Sequence, residues 1–192
     1  MYEKKADPGP LGVESLMKAA LHYLERFAAS RDGVRRVLER RVARSDSAEN
    51  MDAEAVSSAI TAVLDRLTDL GYLDDAFFAE SRARSLVARG VSARGVRSRL
   101  RQKGVSPELV EQAMSDLAAD RAGHGEIDPD LTAAVIFARR RRIGPWGDPE
   151  SRSARRYRDM AALARRGFGT DVIRHILDAC NPDDLEAAIG PV

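Results

Sequence analysis

The sequence predicts an all-α protein made of tandem three-helix repeats, about three of them, forming an elongated, curved array. Apolar residues recur at helical spacing, and no convincing alternating strand interrupts them. Capping residues and glycines punctuate the chain where such helices would start and stop. One segment also aligns on another without a gap. Leu100 to Met114, "LRQKGVSPELVEQAM", matches Leu163 to Leu177, "LARRGFGTDVIRHIL", at an offset of 63, which is the mark of an internal repeat. Such repeats bury their apolar faces by stacking on their neighbours.

A charged, Pro/Gly-bearing tail is expected over residues 1–14. The first repeat, 15–71, opens with "SLMKAALHYLERFAAS" and "RDGVRRVLERRVA", both read as helices. A polar insertion over 44–52 separates them from the clearest helix of the chain, about Ala53 to Leu70. There Val56, Ile60, Val63, Leu64, Leu67 and Leu70 form one apolar stripe, with Asp52 as N-cap and Gly71 as terminator. The second repeat, 72–121, carries a stripe of Phe78, Ala79, Ala83, Leu86 and Val87. A helix capped by Ser92 and ended by Gly104 follows, then one opened by Ser106-Pro107-Glu108. Residues 122–128 read as a linker, and Asp128-Pro129 starts the third repeat, 129–180, with a tail over 181–192. A degenerate copy of the repeat core, Leu38 to Ile60, lacks the glycine and holds the polar insertion.

At 192 residues and 44% hydrophobic content the chain can bury a core. No run approaches the length of a membrane span and the N-terminus lacks a secretory pattern, so a soluble, cytoplasmic protein is expected. Cys180 is the single cysteine, too few for a disulfide or a cysteine-based zinc site. His22, His124 and His175 stand far apart, and no phosphate-cradling or dinucleotide-binding glycine loop is present. The expectation is a protein with no enzymatic activity, cofactor or metal. Any ATP consumed in its process is then hydrolysed by a partner.

The net charge of +1 conceals a segregation. Residues 82–103 hold eight Arg or Lys and no acid, residues 139–166 hold ten Arg against three acids, and the rest of the chain therefore carries −14. Two basic segments in a near-neutral chain point to a localised polyanion footprint, either nucleic acid or an acidic partner. The candidate contacts in the second repeat are Arg82, Arg84, Arg89, Arg94, Arg97, Arg99, Arg101 and Lys103. In the third they are Arg139, Arg140, Arg141, Arg142, Arg152, Arg155, Arg156, Arg165 and Arg166. On the helix opened by Ser92, Arg94, Arg97 and Arg101 form a stripe beside Ala93, Val96 and Leu100, and Arg99 and Lys103 flank the other side. Acids are nearly absent from these segments, so pairing within a helix does not account for the row. Trp146 and Tyr157 either stack on bases or pack beneath the turn.

In "LGYLDDAFFAES", Leu70 to Ser81, the adjacent Asp74 and Asp75 resemble a catalytic pair but are better read as a helix start. Asp74 is expected to cap and Asp75 to favour the first turn, while Tyr72 and Leu73 turn inward and Phe77 or Phe78 packs back on them.

This stretch, the following "RGVSARGVRSRLRQKGVSPELVEQAM" and the terminal "ALARRGFGTDVIRHIL" together resemble the RecX family of bacterial regulatory proteins. The family's recurring signals are "GYLDD.RFA" and "LR.KG" with a following acid and apolar pair. Here Ala76 and Phe77 occupy the variable positions before Phe78-Ala79. The resemblance runs from about Ser15 to Ala179. It implies a non-enzymatic protein that binds the recombinase RecA and lodges along its filament on single-stranded DNA. Such a protein restrains RecA's ATPase, strand exchange and co-protease activities in recombination and the SOS response, with double-stranded DNA as a further ligand. A helix-turn-helix transcription regulator is the alternative, although no helix offers the Asn, Gln or Ser pattern of a base-reading surface.

Overall fold

The computed structural model describes residues 12–45, 52–122 and 128–190. Among them are ten α-helices, a short 3₁₀ turn and no strand, as the periodicity predicts. The helices divide between two compact units, each with its own packing.

The first unit comprises the chain up to Phe78 together with Lys103–Val105. Helices α1 (Val13–Leu24), α2 (Arg31–Val42) and α3 (Ala53–Asp69) all pack against one another. Leu16, Ala20, Val34, Leu38, Ile60, Val63, Leu64 and Leu67 are sealed in their core. α1 takes in Val13 and Glu14, so helix replaces the end of the expected tail; most of the 44–52 insertion lies outside the described residues. Asp52 caps α3 by accepting from the Glu54 N–H at 3.1 Å, as its position predicts. Asp74 likewise accepts from the Phe77 N–H at 2.9 Å to start α4 (Asp75–Val87). Leu73 turns inward and is buried. Tyr72 and Phe77 do not follow it: they are 58% and 68% exposed, whereas Phe78 is half-buried.

The second unit takes residues 79–102 and everything from Ser106 onward. It holds most of α4, then α5 (Ala93–Gln102), α6 (Pro107–Ala122), α7 (Pro129–Arg141), a 3₁₀ turn (Gly144–Trp146), α8 (Arg152–Arg165), α9 (Thr170–Asp178) and α10 (Pro182–Ile189). The aligned repeat positions are buried in both copies: Leu100 with Leu163, Val105 with Phe168, Val110 with Ile173, and Met114 with Leu177. α10 occupies the segment expected as a tail. Asn181 caps it by accepting from the Asp184 N–H at 2.9 Å, Pro182 takes the first helical position, and Leu185 and Ile189 are buried. Trp146 is half-buried and donates its indole N–H to Glu186 of α10 at 3.3 Å, so it belongs to the packing beneath the turn.

A joint built the same way occurs once in each unit. Ser30, the N-cap of α2, accepts from the Gly33 N–H and donates its own hydroxyl to the Lys103 carbonyl. Ser92, the N-cap of α5, accepts from the Gly95 N–H and donates to the Arg166 carbonyl at 2.7 Å. The N–H of the residue after each serine is taken by a carboxylate: Arg31 by Asp75 and Ala93 by Asp130, both at 2.6 Å. Each receiving carbonyl precedes a left-handed glycine, Gly104 at φ 77° and Gly167 at φ 88°. Asp75 is therefore more than a dipole partner: it satisfies an orphan donor at the start of α2.

Candidate functional site

The α5 row assembles as its spacing predicts, with Val96 and Leu100 buried and Arg94, Arg99, Arg101 and Lys103 exposed. Its charge is less free than the sequence suggests. Glu111 of α6 takes the Arg97 Nε–H with both oxygens, at 3.1 and 2.9 Å, and lies 3.4 Å from Arg101. A surface groove of about 620 Å³ runs along Arg94, Arg97, Ser98, Arg101 and Gln102. Glu111→Gln should release both arginines. Elution from a heparin column is expected to move to higher salt, with a stability change of no more than about 1 kcal/mol because the pairs are exposed. Unchanged elution would show that the row does not meet polyanions.

The candidates of α4 are dispersed. Arg82 is half-buried, Arg84 pairs with Glu80 one turn earlier, and exposed Arg89 offers its carbonyl to Arg140 at 3.4 Å. In the third repeat several arginines work inside the fold. Arg152 donates to the carbonyls of Leu177, at 2.9 Å, and Ala179, closing the end of α9. Arg156 joins it at Leu177 and pairs with Asp178 at 2.6 Å. Arg155 donates to the Asp148 carbonyl at 2.8 Å, and Arg139 stands 3.7 Å from Glu186. Arg142 ends α7 in the left-handed conformation, exposed. Ser151 and neighbouring backbone N–H groups bond the exposed Asp148 carboxylate and lower its pKa.

Other charges converge. α7 and α8 border a cleft of about 410 Å³ whose mouth carries Arg141, Arg158, Arg165 and Arg166. Its apolar wall is Phe137, Ile143 and Ala162, and the Arg166 guanidinium lies over the Phe137 ring, 4.8 Å from its centroid. Buried Asp159 also lines it. Arg158 was not among the candidate contacts. Its signal was the spacing of Arg158, Asp159, Ala162, Arg165 and Arg166, which places all five on one stripe of α8. Arg94 adjoins this end of α8: its Cβ and Cδ stand 3.7 Å from where a Cβ on Gly167 would be.

Among the described residues no group of three or more His, Cys, Asp or Glu is placed to hold a metal, and no helix is long and apolar enough to cross a membrane.

Three-helix repeats, joined by serine-capped helix starts and bearing grouped arginines, define an all-helical repeat protein with basic surfaces. The model of the second three-helix domain of RecX matches residues 74–114, which include the whole α5 row. Over 186 residues the chain is 37% identical to the regulatory protein RecX of Myxococcus xanthus, covering 94% of this chain and 95% of that one. The chain belongs to the RecX family. The crystal structure of RecX from Lactobacillus salivarius shares the fold at a TM-score of 0.59 and 20% identity, covering 88% of this chain and 96% of that one. A second crystal structure, of a regulatory protein RecX, gives 0.63 at 19% identity, covering 87% and 73%.

Proposed function

We propose that this chain is a non-catalytic regulator that binds the recombinase RecA and its filament on single-stranded DNA. It mainly restrains ATP turnover, strand exchange and co-protease activity in recombination and the SOS response. The observation that carries this reading is membership of a family whose relatives are named regulatory proteins, with the matched domain holding the α5 row. Arginines offer planar donors of permanent charge to phosphates and carboxylates alike. Arg94, Arg99 and Lys103 carry no ion pair among the described residues and are the readiest to engage, with Arg97 and Arg101 exchanging Glu111 for the partner. Contacts from the second and third repeats then bridge neighbouring recombinase subunits and resist the movements that accompany ATP turnover.

Substoichiometric protein added to RecA on single-stranded DNA is expected to slow ATP hydrolysis, more weakly as salt rises. Arg94→Ala/Arg97→Ala/Arg101→Ala should raise the concentration needed by about tenfold or more while leaving helicity intact. Wild-type protein without effect at any ratio overturns the proposal. Footprinting that protects one defined operator would favour a transcription regulator instead.

A further inference from the structure

The cleft between α7 and α8 differs in kind from the α5 row. Arg158 and Arg165 stand two turns apart on α8, Arg141 joins them from the end of α7, and none of the three has an ion pair among the described residues. Beneath them lies an apolar wall rather than a polar one, with Phe137 and Ile143 only 8% and 4% exposed. The cleft's volume suits a small organic ligand. Asp159 is 7% exposed, and its carboxylate enters no hydrogen bond or ion pair among the described residues. The carboxylate lines the cleft, so an N–H of a bound ligand can reach it there.

These features discriminate among anions. Inorganic phosphate would satisfy the arginines, yet it would face Asp159 with like charge and make no use of the apolar lining. An acidic peptide has the same fault. A nucleotide supplies an anionic group, an apolar face and N–H donors together. We infer that the cleft binds one nucleotide unit. Its phosphate rests on Arg158 and Arg165, its base packs where the Arg166 guanidinium covers Phe137, and an N–H of the base is donated to Asp159. The unit is either free or part of a single strand, and only the second case rests on the regulatory reading above. Cytosine presents an exocyclic amino group to the carboxylate. Thymine presents a single N–H flanked by two carbonyl oxygens that repel it.

The test is titration of the full chain against oligo(dC), oligo(dT), free dCMP and poly-glutamate. The wild-type protein should prefer oligo(dC) to oligo(dT) by about tenfold. Arg158→Ala/Arg165→Ala, two exposed positions, should weaken both oligonucleotides by about tenfold or more and reduce the salt slope by about 1.4. Asp159→Asn should remove the preference between bases while keeping the arginine-dependent affinity. Saturation by dCMP alone, lost in the same arginine variant, assigns the site to free nucleotides; response to the oligonucleotides only assigns it to a strand. Unchanged oligonucleotide and dCMP binding by the arginine variant overturns the inference. So does poly-glutamate binding that depends equally on Arg158 and Arg165. Arginine-dependent binding in a protein that leaves RecA ATP hydrolysis untouched would uphold the cleft and sink the regulatory proposal, so the two fail separately.

Discussion

Gly104→Ala is expected to destabilise the protein by about 3–4 kcal/mol, lowering the thermal midpoint by roughly 6–16 °C. Two costs combine there. At φ 77° an alanine pays the strain of the left-handed region, about 1–2 kcal/mol. Its Cβ would also stand 2.2 Å from the Cβ and Oδ2 of Asp32. Rotating the carboxylate away does not help, because the Asp32 Cβ is fixed by the backbone of α2. The joint itself must open, and with it the bond from Ser30 to the Lys103 carbonyl. Gly167 is the internal control. It has φ 88°, but an added Cβ would meet only the Ser92 Oγ at 3.0 Å and Arg94 at 3.7 Å, so Gly167→Ala should cost about 1–2 kcal/mol. Equal losses in urea unfolding would show that the contact with Asp32 contributes nothing.

Asp130→Ala should cost about 1–3 kcal/mol, because the Ala93 N–H at the start of α5 loses its acceptor. Asp130→Asn keeps an oxygen in that place without a buried charge, and pH separates the two forms. Burial raises the Asp130 carboxyl above the ordinary aspartate range, assisted by the charge of Asp128, and outweighs the bond from Ala93 and the charge of Arg97. Asp75 shifts the same way, again mainly by burial, against the bond and charge of Arg31. A folded pKa raised above the unfolded one means that the protonated form favours folding. This contribution is fully present below the ordinary aspartate value and is lost as pH rises through the folded value. Asp130→Asn should therefore gain on the wild type as pH rises from the ordinary aspartate value through the raised folded value. A stability difference independent of pH would refute the assignment to burial.

Much of the helical scaffold was legible because its signals are local. Asp52, Asp74, Ser92, Ser106 and Asp128 accept the backbone N–H groups that their positions predict, and the glycine of the repeat is left-handed in both aligned copies. Charge partnership was not local, and there the sequence misled. Glu111 reaches Arg97 and Arg101 from the next helix, and the carbonyls that occupy Arg152 lie 25 and 27 residues away. Composition counts such arginines as surface charge, whereas packing turns them into the closure of a helix end. The α8 cleft went unread because most of its wall, Phe137 and Ile143, comes from α7 and the turn after it, so that only the arginine spacing was visible in one segment. Tyr72 shows the opposite error: an aromatic beside a turn was expected to pack inward, and the turn instead leaves it in solvent.

The serine couple also limits how many copies the chain can string together. Ser30 and Ser92 each hold their own helix start and donate a hydrogen bond to a carbonyl from the following copy. Ser151, at the same place before α8, makes no cap bond and gives its hydroxyl to Asp148 in the turn just behind it. Duplicating the second repeat in an engineered gene would carry the connector along and should yield a longer, still cooperative protein. Duplicating the third would add a module with nothing to fasten it, because the coupling is terminated there.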